Sequence, residues 1–240
     1  MFSRNRLAVL VLALGPAAAF AQGVSEPPVY LRFLRTLGRP DLPLVQSYGQ
    51  AEANVIVFGT TSISGNQESW LIECHDSFAS IEDLDQKLNL ETEARIHIGL
   101  YLPGLSYRPD QAARSLPKAR YFNITTYRIL PGTDSQFGDL IRARRANFDA
   151  INLDRPEMVY RIISGAVSGT YIFVAPLTSL RMMDNGLAHN PAYAEAMTEG
   201  GAANRKLATE TVISRENTLL RIQPNLSRVP ADFWAAPAQQ

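Results

Sequence analysis

Pro103-Gly104-Leu105-Ser106-Tyr107-Arg108-Pro109 and Pro224-Asn225-Leu226-Ser227-Arg228-Val229-Pro230 are the same motif written twice in one chain. Both follow β-rich runs, residues 96–102 and 218–222. Gly or Asn at the second position suits a left-handed turn, and the two prolines stop the chain from extending a sheet. A second correspondence lies upstream, in the same order. Val55-Ile56-Val57-Phe58-Gly59 leads through Ser64-Gly65 into Ser69-Trp70-Leu71-Ile72-Glu73 and then Ser77-Phe78. Residues 158–163 lead through Ser168-Gly169 into Tyr171-Ile172-Phe173-Val174 and then Ser179-Leu180. Each is a strand, a turn, a strand and a helix start. Two matches in one order predict a tandem repeat.

Outward from the hairpins, each half reads β-α-β-β-α-β. In the second half, residues 121–130 are rich in β-branched and aromatic side chains and end at Pro131-Gly132. Thr133-x-x-Gln136 has capping-box form, ahead of a helix whose Phe137, Leu140, Ile141, Phe148 and Ile151 share one face. A helix from Ser179 and a closing strand over residues 217–223 complete it. The first half reads as a strand over 29–37, a weak helix across 42–53 interrupted by Pro43 and Gly49, the hairpin, a helix near 77–88 and a strand over 96–102. Residues 114–118, with Pro117, read as the linker between a first half at 22–113 and a second at 119–240. The halves differ in one place. Ser77 to Leu105 spans 28 positions and Ser179 to Leu226 spans 47, an insert of 19 residues near 186–214.

β-α-β-β-α-β is the ferredoxin-like unit, and a single copy leaves one sheet face uncovered. Two copies in one chain can cover each other. The expected fold is α+β, with two tandem ferredoxin-like halves packed as a pseudo-dimeric α+β barrel. The segments that carry this are Ala119-Arg120-Tyr121-Phe122 through Arg128-Ile129-Leu130-Pro131-Gly132, the hairpin from Gly165 to Gly169, and the two Pro-x-Leu-Ser-x-x-Pro endings. On these the chain resembles the dimeric α+β barrel superfamily in a fused form, over residues 27–234. Within it, the chain is similar to exported bacterial proteins related to the NIPSNAP and antibiotic-biosynthesis-monooxygenase groups. The resemblance implies a range of activities: cofactor-independent monooxygenases, haem-degrading enzymes and isomerase-like enzymes. A shared fold does not choose among them.

The chain has 240 residues, 46% of them hydrophobic, with 23 basic and 23 acidic side chains and one cysteine. That composition can fill a sizeable core and excludes wholesale disorder. Zero formal net charge argues against a nucleic-acid partner, which needs a basic footprint. Residues 1–21 read as a signal peptide: Arg4 and Arg6, a short apolar run, then Ala19-Phe20-Ala21 with small residues at −3 and −1. Cleavage there predicts a protein exported to the periplasm or the medium. No later run is long and apolar enough to span a membrane. Cys74 reads as a packing thiol within a strand, with His75 pointing to the opposite face.

Familiar catalytic signatures are missing: no G-x-S-x-G elbow, Walker loop, H-E-x-x-H or CxxC pair occurs. The three histidines, His75, His97 and His189, do not fall at converging repeat positions, so no metal site is expected. Alternation puts Arg95, His97 and Gly99 on one face of a strand, looking into the barrel. His189 lies in the insert beside Asn190-Pro191, a helix start. Haem-using relatives place an axial histidine in the second part of the domain, but no motif carries that role to His189. No cofactor is expected, with haem at His189 the alternative. Tyr121, Asn123, Thr125 and Tyr127 share one strand face, opposite Phe122 and Ile124. Helices need an apolar partner, so Phe122 and Ile124 are expected to face them. That turns Tyr121, Asn123 and Tyr127 into the barrel, joined by Tyr160 or Arg161, as a row for a planar ligand. Three function classes stay open for a monomer or homodimer: a protein binding a small apolar or aromatic ligand between its halves, a cofactor-independent monooxygenase- or isomerase-like enzyme, and an envelope interaction protein with a filled barrel.

Overall fold

The first half runs β1 (Tyr30–Leu37), α1 (Leu42–Gln50), β2 (Ile56–Ser62), β3 (Glu68–His75), α2 (Phe78–Lys87) and β4 (Arg95–Tyr101). A connection made of α3 (Pro109–Ser115) and a 3-10 turn (Leu116–Lys118) leads to the second half. That half runs β5 (Tyr121–Ile129), α4 (Asp134–Ala150), β6 (Met158–Ser164), β7 (Thr170–Leu177), α5 (Arg181–Ala188), α6 (Gly201–Thr211) and β8 (Val212–Ile222). This computed structural model describes residues 26–38, 42–50, 55–88, 93–188, 191–192 and 201–234. The eight strands close a barrel in the order β1-β3-β2-β8-β5-β7-β6-β4, antiparallel throughout. Within each half the order is fourth-first-third-second, the ferredoxin-like sheet. The chain therefore has the tandem, pseudo-dimeric α+β barrel fold expected from its repeat.

The repeated ending shows how the halves are joined. Ser106, from the first half, accepts a hydrogen bond at Oγ from Val159 N in β6 at 2.9 Å. Ser227, from the second half, accepts one from Gly59 N in β2 at 2.9 Å. Tyr107 and Glu157 exchange backbone hydrogen bonds at 3.0 and 2.8 Å, as Arg228 and Val57 do at 2.7 Å each. Each half's closing motif thus latches onto the second strand of the other. Gly59 is required there: a Cβ on it would lie 2.2 Å from the Leu226 carbonyl oxygen.

Leu31, Phe33, Phe58, Trp70, Ile72, Phe122, Ile124, Tyr160, Ile162, Ile172, Val174 and Leu220 form a single buried cluster drawn from both halves. Phe58 and Phe122 meet edge to face across the halves at 5.2 Å. This is the barrel interior, and side chains fill it. Of the smaller buried clusters among the described residues, two lie on the outer face of the barrel strands. One packs Leu34, Val57 and Leu71 against α1 and α2, and the other packs Tyr127, Val159, Tyr171 and Phe173 against Phe137 and Ile141 of α4.

The face assignment made from the sequence is therefore inverted. Phe122 and Ile124 point into the barrel, and Tyr121, Asn123 and Tyr127 point outward. A closed barrel is sealed from water on its inner face, so it takes the bulkiest apolar side chains, while the helices leave part of the outer face polar. Of the residues expected to line a ligand space between the halves, Tyr121, Asn123 and Tyr127 therefore lie outside the barrel, and Tyr160 lies inside it. Residues 114–118 are helical, and Leu116 among them is buried in the barrel core together with the nearby Ala112 and Ala119. The Thr133-Gln136 capping box does not form. The Thr133 hydroxyl donates to Leu130 O at 2.7 Å and makes no cap hydrogen bond to α4. Ser77, in contrast, caps α2 by accepting from Ser80 N at 3.2 Å.

Candidate functional site

The outer faces of the two halves are not alike. In the first half, Arg32 lies opposite Glu73, and Leu34 lies opposite Leu71 and Ile96. At the matching positions of the second half, Asn123 lies opposite Ala175 and Thr125 opposite Asn217. The first half therefore closes this face with an ion pair and aliphatic packing. The second builds it from amides and a hydroxyl. Asn217 Nδ2 donates to Asn123 Oδ1 at 2.8 Å and to Thr125 Oγ1 at 2.9 Å. Asn123 and Thr125 are buried beneath it, while Asn217 is exposed. The result is a polar strip along the β5–β8 ladder, open to solvent on its β8 side.

At one end of the strip lies a groove of about 510 Å³. Arg120, Arg181 and Arg221, each exposed, come to it from the start of β5, the start of α5 and the end of β8. Tyr121 and Trp234 give it aromatic walls, and Asp184 is the acid among its lining residues. Trp234 is fixed in place, its Nε1 donating to Ala119 O at 2.8 Å and its backbone N to Pro117 O at 2.7 Å. Ser179 Oγ accepts from Arg181 N at 3.2 Å as α5 begins. Among the described residues none of the three guanidiniums makes an ion pair. A groove of this size with exposed guanidiniums and aromatic walls suits a small organic anion.

The residues singled out in the sequence scatter across the fold. Tyr121 lines the groove, and Asn123 lies in the amide strip. Tyr127 stands on the same outer face, under Arg215, with its ring 5.0 Å from Phe173. Tyr160 is in the barrel core, where its hydroxyl donates to Pro28 O at 3.1 Å. His97 does face the barrel side of β4, but at the seam with the second half, where its Nδ1 meets Gly165 O at 2.9 Å. Burial, only partly offset by that carbonyl, holds its pKa below the ordinary value. His189 lies outside the described residues. Sequence reasoning missed the groove arginines. Arg120, Arg181 and Arg221 are far apart in the chain, and nothing in their spacing announces that they converge.

No protein-family model matches the sequence, and no curated protein is similar to it. Solved structures share its fold. A monooxygenase-like protein from Fusobacterium nucleatum superposes with a TM-score of 0.52 at 9% identity, over 82% of this chain and 93% of that one. A chlorite dismutase variant from Candidatus Nitrospira defluvii gives 0.51 at 10% identity, over 85% and 94%. A haem-binding protein from Thermus thermophilus gives 0.50 at 7% identity, over 83% and 96%. These likenesses establish the dimeric α+β barrel fold.

They also correct one expectation. The sequence reading expected no cofactor, yet this fold carries haem in the Thermus protein, so that expectation is withdrawn. Among the described residues, no imidazole or thiol reaches the strip or the groove. His75 is buried with both ring nitrogens engaged, His97 sits at the barrel seam, and Cys74 packs on the barrel core. His189 is the one other histidine in the chain.

Proposed function

We propose that this is an exported α+β barrel protein that takes a small planar organic anion into the groove of its second half, and that it acts there as a monooxygenase- or isomerase-like enzyme. The observation that carries the reading is the convergence of Arg120, Arg181, Arg221 and Tyr121 on one groove of about 510 Å³. Bidentate guanidinium contacts would fix a carboxylate or enolate, and the Tyr121 and Trp234 rings would align its plane. The fold shared with a monooxygenase-like protein is consistent with this chemistry. Export rests on residues 1–21, and kinship with the NIPSNAP and antibiotic-biosynthesis-monooxygenase groups rests on the repeated motifs.

The test is a calorimetric titration with a panel of aromatic carboxylates and hydroxyquinones. Saturable binding is expected, weakened at least tenfold by Arg221→Gln. Binding left intact by Arg120→Gln, Arg181→Gln and Arg221→Gln alike would move the site elsewhere. A hemin titration belongs in the same panel, because an absorption band near the Soret region that disappears in His189→Ala would identify a porphyrin as the occupant. The filled barrel favours a second reading, the envelope interaction protein. A groove that takes nothing from the panel would support it.

A further inference from the structure

Three guanidiniums and one carboxylate line the groove of the second half, and its other lining residues are uncharged. Arg120 immediately precedes β5, and its carbonyl oxygen accepts from Ile222 N in β8 at 2.9 Å. Arg221, one residue earlier in β8, is the register partner of Tyr121. Arg181 is the first residue of α5, and Asp184 follows it by three positions on the same helix. Among the described residues none of these four side chains makes an ion pair.

Three cations against one acid leave a surplus of two positive charges in one groove. Asp184 lies on the Arg181 side of α5 and can offset one guanidinium, so Arg120 and Arg221 stay uncompensated even then. The chain as a whole carries no formal net charge, which makes the surplus a property of this groove. The start of α5 lines the groove too, and the partial charge of a helix N-terminus has the same sign. A ligand with one carboxylate would meet half of that surplus, and a second negative charge would meet the rest. The aromatic wall says what should carry those charges. Trp234 holds a left-handed backbone at φ 60°, and its ring is tied by Nε1 to Ala119 O at 2.8 Å. A non-glycine residue keeps that conformation only where its surroundings fix it. A fixed indole face suits a flat ring.

We propose that the groove selects an aromatic dianion, a ring bearing two carboxylates or one phosphate, over the monoanion of the same ring. This rests on the groove being the binding site and narrows its ligand to a charge class.

The experiment is calorimetric titration of the full chain with benzoate, phthalate and phenyl phosphate at about pH 8, where both dianions are fully ionised. Phthalate, phenyl phosphate or both should bind about fivefold tighter than benzoate or better, the gain of one further solvent-exposed ion pair. Whichever does so names the group that carries the second charge. The advantage should shrink in Arg120→Gln and in Arg221→Gln, and as sodium chloride screens the groove. Both arginines are exposed, so neither replacement removes a core contact. Asp184→Asn should widen the advantage by about twofold, since it removes the one opposing charge; arginines with a merely structural role would give no such gain. Should an arginine variant fail to fold, Asp184→Asn decides alone. Equal binding of the three probes, or an advantage unmoved by Asp184→Asn, overturns the proposal and leaves the groove as a binding site. Binding of a hydroxyquinone with none of the three probes bound does the same. No binding by any of these compounds sinks the groove reading as well.

Discussion

Glu73 is completely buried, and three side chains converge on its carboxylate. Arg32 donates from Nε at 2.5 Å and from Nη2 at 3.1 Å, His75 Nε2 lies at 2.8 Å, and the Tyr48 hydroxyl donates as well. Arg32 also reaches Asp85 on α2, and His75 Nδ1 meets Ser80 Oγ at 2.9 Å. Burial alone would raise the carboxyl pKa of Glu73, but the hydrogen bonds from His75 and Arg32 and the charge of Arg32 bring it below the ordinary 4.5. A group whose pKa is lowered on folding stabilises the fold fully above its unfolded value. That contribution is lost as pH falls through the lowered native value. The protein should therefore lose stability progressively below about pH 4.5, and Glu73→Gln should flatten that part of the profile. At neutral pH the same substitution leaves Arg32 buried without its main partner and should cost about 3–5 kcal/mol in urea unfolding. An unchanged acid limb would show that other carboxylates govern it. The strand pattern announced that His75 and Cys74 take opposite faces. It did not announce this network, because Arg32, Tyr48 and Glu73 meet only through sheet pairing and a helix crossing.

Among the elements, the repeated motif was the most legible feature of the sequence, and its role the least. Pro-x-Leu-Ser-x-x-Pro reads as a turn that ends a strand, and it does end one. Only the barrel shows that Ser106 and Ser227 each satisfy a backbone N–H in the opposite half. Ser227→Ala would leave Gly59 N without its side-chain partner, a cost of about 1–3 kcal/mol. Gly59→Ala should cost more, because its Cβ would meet the backbone and Cβ of Leu226 at 2.2 to 2.6 Å and push the latch off β2. Hydrogen exchange at Arg228 and Val57 should then speed up well beyond its rate in Ser227→Ala. Equal exchange in the two variants would mean that the latch yields without opening. Capping shows the same boundary between local and tertiary causes. Ser77 caps α2 as its spacing suggests, whereas the Thr133 hydroxyl turns back to Leu130 O, where the end of β5 offers a nearer acceptor.

At the scale of the molecule, period-two alternation fixes which residues share a face, but not which face is inside. The β5 row of Tyr121, Asn123 and Tyr127 was legible as a row, and its outward direction was not, since both faces of a barrel strand carry apolar side chains. Closure settles the matter by drawing one core from both halves. Phe122 of the second half rests on Phe58 of the first at 5.2 Å, and Tyr101 of the first rests on Tyr160 of the second at 5.6 Å. The β2–β8 and β4–β6 ladders then use the sheet edges that a lone half would expose. Neither half can lose its inner face without uncovering the other's, so the two should unfold together. Phe122→Ala, which removes a ring from the shared core, should cost about 3–5 kcal/mol and lower the melting temperature by about 6–20 °C. The test is calorimetry on the parent and the variant, with a single transition expected in both and van't Hoff and calorimetric enthalpies in agreement. Two transitions, with only the second-half one displaced by Phe122→Ala, would mean that the halves fold as separate domains and the barrel interior is merely an interface between them.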